Sequence, residues 1–305
     1  NKMDLIITTS TFSKDVLQST VYNEVEKNTN KLIKQYKIEK PVQVLFEGAD
    51  TSIYNDKINN DFKLDIKENF AYLFVGHWLK GNIGQDRKDI GMLIKCFVES
   101  FKDGRDMPAL VLKTSSSNFS VKEREIFIKK IKDIVSDIKN PPSIYLLFGD
   151  LTNKEMNDLY NHPKIKSMIS ITKGEGFGRP LLEFSLTKKP IITTNWSGHK
   201  DFLDEKFTTM LPGTMTNVHP SAANQWLVQD AKWFTPDPGQ VGFYIKDMFE
   251  NYKNYVDGGK RQGFYAKTNF SFEKMVEKVS EYYNKYVKET PKLVLPTLPK
   301  LTKIN

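Results

Sequence analysis

Glu175 and Glu183 stand eight positions apart in the run Lys173-Gly-Glu-Gly-Phe-Gly-Arg-Pro-Leu-Leu-Glu183. These residue types suit the binding of an anion that also carries hydroxyl groups. Gly174, Gly176 and Gly178 let the backbone turn tightly and approach a ligand without Cβ interference. Pro180 fits a first helical turn, and Leu181 to Leu186 continue as an apolar helix. A helix opening behind a glycine turn aims free N–H groups and a positive dipole end at whatever lies above it, which suits phosphate. Glu175, in the loop, is placed to accept hydrogen bonds from ligand hydroxyls, and Glu183, about a turn into the helix, to accept a pair from a ribose diol. The plain alternative is a strand-turn-helix with both glutamates solvated.

The elements that must position this run alternate along the chain. Asp4 to Thr9 reads as a short strand, followed by a long helix over Lys14 to Tyr36 capped by Ser13 or Asp15, then a strand over Val42 to Phe46. A second series opens at Ala71-Tyr-Leu-Phe-Val75, with a helix over Asp89 to Phe101. Further strands are expected at Ala109–Lys113, Ile144–Phe148, Ser167–Ile171 and Pro190–Thr194, and helices at Lys122–Ile138 and Leu151–Tyr160. Thr152 and Glu155 have capping-box spacing for the latter. A last helix covers Phe272 to Val287, beyond which Pro291, Pro296 and Pro299 break regular structure. Such alternation predicts an α/β fold, with parallel sheet covered by helices.

Composition narrows the classes. With 305 residues, 39% of them hydrophobic, the chain can build real cores, and it contains no run near the roughly 20 apolar residues of a membrane helix and no visible signal peptide. A single cysteine, Cys96, excludes an intrachain disulfide and suits a reducing compartment, so a cytoplasmic location is expected. Four histidines without ligand spacing give no case for structural zinc. The net charge of +8 favours an anionic partner, although much of it is lysine spread along helices. Abundant Lys and Asn suit an AT-rich genome such as that of a virus.

The Glu175–Glu183 segment resembles the donor-binding motif of retaining glycosyltransferases of the GT-B fold, most closely family 4 (group 1 type) of the nucleotide-sugar transferases. That family carries two glutamates separated by seven residues around Gly-Phe-Gly, matched here by Glu175, Gly176-Phe177-Gly178 and Glu183. The resemblance implies a donor, UDP- or GDP-linked, bound by Gly176, Phe177, Gly178, Leu181 and Glu183, with its diphosphate on the helix N-terminus, the transferred sugar near Glu175 and the ribose on Glu183. No separate cofactor is implied. Phe148-Gly149 resembles the loop that meets the base, and Ser197-Gly198-His199 a run lining the cleft, with His199 either a cleft residue or a structural one.

Two more runs resemble the end of the first GT-B domain: Ile6-Ile-Thr-Thr-Ser10-Thr-Phe12 and Glu47-Gly-Ala-Asp50. The resemblance then divides the chain into residues 1–66, the incomplete end of an acceptor-side domain, 67–287, the nucleotide-sugar-binding Rossmann-like domain, and 288–305, a C-terminal tail. It implies that a missing N-terminal half, or a partner chain, supplies the rest of the acceptor side. The acceptor is left open among glycan, lipid, protein and modified DNA.

A diphosphate needs cations. The family carries an Arg after the glycine that follows the first strand, and a Lys several residues on. This chain has His77 at the Arg position but keeps Lys88, with Arg87 beside it, so Arg87 is expected to substitute, in a catalytic set with Lys88 and Glu175. Lys113 ends an apolar strand at the same sheet edge, where α/β ligands bind, and is a third phosphate contact or a lysine reaching solvent. Trp226, Trp233 and Phe234 are expected to be packing residues.

Competing chemistries lack their residues. The sequence has no Gly-x-Ser-x-Gly elbow, no P-loop and no Asp-x-Asp metal motif. One glutamate in a turn and one in the following helix face a single ligand more readily than they flank a glycosidic bond. The expectation is glycosyl transfer without metal. The alternatives are a GT-B-like subunit that binds a sugar nucleotide, or assembles with a partner, without turnover, and a sugar-nucleotide epimerase on the same fold.

Overall fold

A computed structural model describes residues 3–78, 81–116, 119–224, 227–228 and 230–287. Trp226, the expected tail at 288–305 and its prolines lie outside the described residues. The chain opens with β1 (Ile6–Thr8), α1 (Thr11–Ser19), β2 (Tyr22–Val25), β3 (Leu32–Tyr36) and β4 (Val42–Val44). Strands β1 and β4 pair in parallel as a two-stranded sheet, while β2 and β3 form an antiparallel hairpin exposed along its whole length.

This corrects the single helix expected over 14–36. Ser10, not Ser13 or Asp15, caps α1 by accepting from the Ser13 N–H. The helix ends at Ser19, before the β-branched and aromatic run Thr20-Val21-Tyr22, which favours extended backbone. Asn28-Thr29-Asn30 then supplies the turn, with Asn30 at φ 53°.

Beyond this lies the main sheet: β5 (Ala71–Val75), α2 (Ile90–Phe101), β6 (Ala109–Lys113), α3 (Val121–Val135), β7 (Ile144–Leu147), α4 (Asn153–Asn161), β8 (Ile165–Ser170), α5 (Arg179–Ser185), β9 (Ile191–Thr194) and β10 (Thr209–Leu211). Its six strands are all parallel, in the order β10-β9-β8-β5-β6-β7. These strands read as continuous apolar runs because both faces are covered. Leu73, Val111 and Met168 pack on one side with Leu182 and Phe184 of α5. Tyr72, Phe74, Leu110 and Leu112 pack on the other against Leu93 and Phe97 of α2 and Phe127 of α3. Thr152 and Glu155 form the expected reciprocal cap on α4.

The sequence reading assigned no strand or helix between residues 203 and 271, only Trp226, Trp233 and Phe234 as packing residues. That stretch holds β10, the hairpin β11 (Gly213–Asn217) and β12 (Lys232–Pro236), then α6 (Pro238–Glu250) and α7 (Lys253–Asn269). Val241, Ile245 and Met248 of α6 complete the α2 face of the core. The last helix, α8 (Phe272–Tyr286), returns to the first sheet: Tyr282 donates to the Val44 carbonyl at 2.8 Å, and Gln43 donates to the Tyr286 hydroxyl at 2.8 Å. Among the described residues no helix is long and apolar enough to cross a membrane.

The strand order sets the site. From β5 the chain moves outward through β6 and β7, then returns to β8 on the other side of β5. Open α/β sheets bind ligands outside the carboxyl ends of the strands at such a reversal. The loops leaving β5 and β8 there contain Arg87-Lys88 and Glu175-Gly176-Phe177-Gly178.

Candidate active site

These two loops are tied together through backbone and side chains. The Lys173 N–H donates to the Arg87 carbonyl at 2.8 Å. Arg87 Nη1 donates to the Gly174 carbonyl and lies 3.3 Å from Glu175 Oε2, and Lys88 Nζ pairs with Glu175 Oε1. The three residues expected to act together therefore meet, but as an ion-paired cluster in which Glu175 holds both cations. Its side chain is 10% exposed. Burial pushes the Glu175 carboxyl up, but Lys88, Arg87 and a Thr172 hydrogen bond outweigh it and hold the carboxyl below its usual range. Lys88 moves down, because burial costs the ammonium more than one carboxylate returns.

Under this cluster lies a second ion pair that the sequence did not disclose. Lys173 Nζ lies 3.3 Å from Asp89 Oδ2 and 4.5 Å above the Trp233 ring, and it donates to the Gly84 carbonyl. Trp233 and its neighbour Phe234 are packing residues, as expected. Asp86 accepts from the Lys88 and Asp89 N–H groups at 2.7 and 2.9 Å, which fixes the turn presenting Arg87 and Lys88. Burial pushes the Asp89 carboxyl up to about 6. A lysine closing an apolar strand, with two aspartates flanking the facing basic pair, was the available signal. A cavity of about 340 Å³ lies behind this pair, bounded by Asp89, Lys173, Trp233 and His219.

Of the three loop glycines only Gly178 has left-handed backbone, at φ 98°, where it caps α5 without a side-chain bond. Gly174 and Gly176 have room for a side chain, so of the three glycines expected to let the backbone turn, only Gly178 is required by the turn itself. The Gly176, Phe177, Gly178 and Arg179 N–H groups donate to no protein acceptor among the described residues. Phe177 is buried, its ring 4.8 Å from that of Phe202, and Leu181 is buried in the same core. Of the two, only the Phe177 N–H is without a protein acceptor among the described residues, since the Leu181 N–H donates to the Gly178 carbonyl at 2.9 Å.

Glu183 is buried one turn into α5 with both oxygens engaged. Oε1 accepts from Arg179 Nε at 2.9 Å and Oε2 from the Tyr160 hydroxyl at 3.2 Å. Burial raises its carboxyl above the ordinary value against the pull of Arg179, and Tyr54, pushed up to about 12 by burial and by Glu183, lies beside it. Arg179, Tyr160 and Tyr54 were not singled out from sequence. Arg179, three residues after Gly176 and four before Glu183, was the one that helical spacing offered.

The other expected contacts are more distant. Lys113 Nζ donates to the Gly149 carbonyl at 2.6 Å, which joins it to the expected base loop, and burial lowers its pKa. His77 is exposed, 3.4 Å from the Ser115 hydroxyl. His199 is wholly buried: Nε2 donates to the Thr194 carbonyl at 2.6 Å and burial holds the ring neutral. Of its two readings the structural one applies. The 194–201 loop braces the glycine loop, since Ser197 Oγ accepts from the Glu175 N–H at 2.8 Å and the Gly198 N–H donates to the Glu175 carbonyl at 3.0 Å. The first segment joins in through Thr9, which donates to the Gly176 carbonyl at 3.3 Å, and the Thr11 N–H, which donates to Asp201 at 2.7 Å.

No protein-family model matches this chain, and no curated protein matches it in sequence. Solved structures do match. A glycosyltransferase from Rickettsia africae is 16% identical with a TM-score of 0.62, over 94% of this chain and 64% of that one. Sucrose-phosphate synthase from Thermosynechococcus elongatus gives 13% and 0.63, over 93% and 58%. Anabaena HepE in complex with UDP and glucose gives 12% and 0.59, over 92% and 63%. The fold is that of the GT-B glycosyltransferases. This chain spans less than two thirds of the length of each of these three neighbours.

Proposed function

We propose that the chain binds a nucleoside-diphosphate sugar, UDP- or GDP-linked, at the switch point and serves in transferring that sugar to an acceptor hydroxyl with retention of configuration. The observation that carries this reading is the meeting of Arg87, Lys88 and Glu175 beside four unpaired backbone N–H groups at Gly176 to Arg179. Anions are held by such N–H groups and by guanidinium, and sugar hydroxyls can donate to the remaining lone pairs of the ion-paired Glu175 carboxylate. A nucleoside diphosphate is already a good leaving group, so the main demand is positive charge where the departing phosphate becomes more negative. Arg87 and Lys88 supply it and Lys113 adds to it from one strand away. Glu183 takes the ribose on its remaining lone pairs.

In this reading residues 67–287 form the donor half and residues 1–66 belong to the acceptor side. The remaining acceptor side comes from further polypeptide, in the same chain or a partner, and selects among glycan, lipid, protein or modified DNA.

A second reading is a sugar-nucleotide-binding or assembly subunit without turnover. It is favoured by the internal pairing of both glutamates, which leaves neither free in the unliganded chain. The transferase and the sugar-nucleotide-binding subunit both require nucleotide binding, which a pure assembly subunit does not, and Glu183→Ala tests it. Loss of a charge-assisted hydrogen bond of roughly 1.5–3 kcal/mol weakens UDP or GDP at least tenfold in calorimetry. Unchanged affinity rules out the ribose assignment. Release of free sugar or transfer product from a UDP- or GDP-sugar then separates enzyme from binding subunit.

A further inference from the structure

Arg179 is the first residue past the glycine loop and the first of α5. Its side chain runs down the helix to Glu183, where Nε alone makes the 2.9 Å contact. The guanidinium also hydrogen-bonds the Tyr54 hydroxyl, and its remaining donors face outward on a side chain that is 57% exposed. Arg87 is placed differently. It is 36% exposed and its Nη1 is spent on the Gly174 carbonyl and Glu175. The basic group most open to an arriving anion at this loop is therefore Arg179.

Position adds a constraint. A nucleotide with its ribose on Glu183 and its diphosphate over Gly176 to Gly178 must carry its first phosphate past residue 179, which lies between them in the chain and at the head of the helix. We propose that Arg179 is a donor-binding residue whose outer guanidinium nitrogens take an oxygen of the nucleotide's first phosphate while Nε stays on Glu183. One side chain then couples the ribose acceptor to the diphosphate. Lysine cannot replace it, because a single ammonium lacks the planar fork that serves two acceptors at once. This inference rests on the nucleotide-sugar reading given above.

The test is calorimetry of the whole chain with UDP and UMP, with uridine followed by saturation-transfer NMR. GDP, GMP and guanosine replace them if the wild type prefers guanine. Arg179→Ala and Arg179→Lys are compared with wild type, and thermal melting confirms that each is folded. Both variants are expected to lose at least about tenfold in UDP and UMP affinity and to keep uridine within about twofold. Arg179→Lys retains a cation for Glu183, so it reads phosphate binding even if the alanine variant is unstable. Equal weakening of uridine, UMP and UDP would show that Arg179 acts only by holding Glu183, and no weakening would show that it does neither. Either outcome overturns the proposal. If the wild type binds neither UDP nor GDP, the nucleotide reading itself fails and this assignment falls with it.

Discussion

Gly198 and Gly176 touch through their backbones so closely that a Cβ built on Gly198 would lie 2.1 Å from the Gly176 carbonyl oxygen. The loop after β9 is thus pressed against the glycine loop after β8, and the absent side chain of Gly198 makes that contact fit. Gly198→Ala has to push the two loops apart. Overpacking of this kind costs about 1–3 kcal/mol, and here the displacement falls on the Glu175 backbone that Gly198 and Ser197 hold. A lowered melting temperature together with weaker UDP or GDP binding is expected. A variant equal to wild type in both measurements would mean that the loops do not brace each other.

The departure at His77 gives a comparison within one loop. His77 is exposed on a hydroxyl, whereas Arg87 reaches the Glu175 cluster. In an enzyme with both halves present, Arg87→Ala is expected to lower turnover by about 10²–10³, as for loss of a donor to developing charge. His77→Ala should cost far less, since His77 rests on the Ser115 hydroxyl outside the Glu175 cluster. The reverse ranking in steady-state rates would place the phosphate elsewhere in the loop and put Lys88 in question too.

Glu175 predicts a pH dependence. Its folded carboxyl lies below the ordinary glutamate range because Lys88 and Arg87 overcome the penalty of burial. A depressed carboxyl contributes stability that is present above the unfolded pKa and lost as the pH falls through the folded one. Melting of wild type and Glu175→Gln between pH 7 and 3 should show the wild type more stable at neutral pH, with the gap closing below about 4.5. A constant gap would exclude an ionised Glu175 as the centre of the cluster.

Because Arg87, Lys88 and the loop N–H groups neutralise the diphosphate in the proposed complex, transfer by the intact enzyme should survive EDTA. Loss of turnover on chelation, with recovery on adding manganese, would assign the leaving-group role to a metal.

The main sheet was legible because its strands are buried on both faces and announce themselves as apolar runs, and β5 and β6 fall on the expected residues. Hairpin β2–β3 was not. Its residues are exposed throughout, so no burial pattern marks it, and its lysines and glutamates read as a solvated helix. In the site, the meeting of Arg87 and Lys88 with Glu175 followed from strand ends and the family motif. The Tyr160 partner of Glu183 and the buried Lys173–Asp89 pair did not: Tyr160 reaches Glu183 across 23 positions and Lys173 reaches Asp89 across 84, and neither distance leaves a mark on local spacing.

The contacts of Thr9 and Thr11 join the first strand's exit to the glycine loop and its brace, and Phe12 adds an edge contact to Trp196, which stacks on Phe234. Anything that seats itself on the β1–β4 sheet and shifts this exit does work on the loop holding Glu175. Coupling of that kind is reciprocal. A sugar nucleotide bound as proposed would tighten or loosen whatever occupies the first sheet by the same factor by which that occupant alters nucleotide affinity, so the order in which the two arrive leaves the final free energy unchanged.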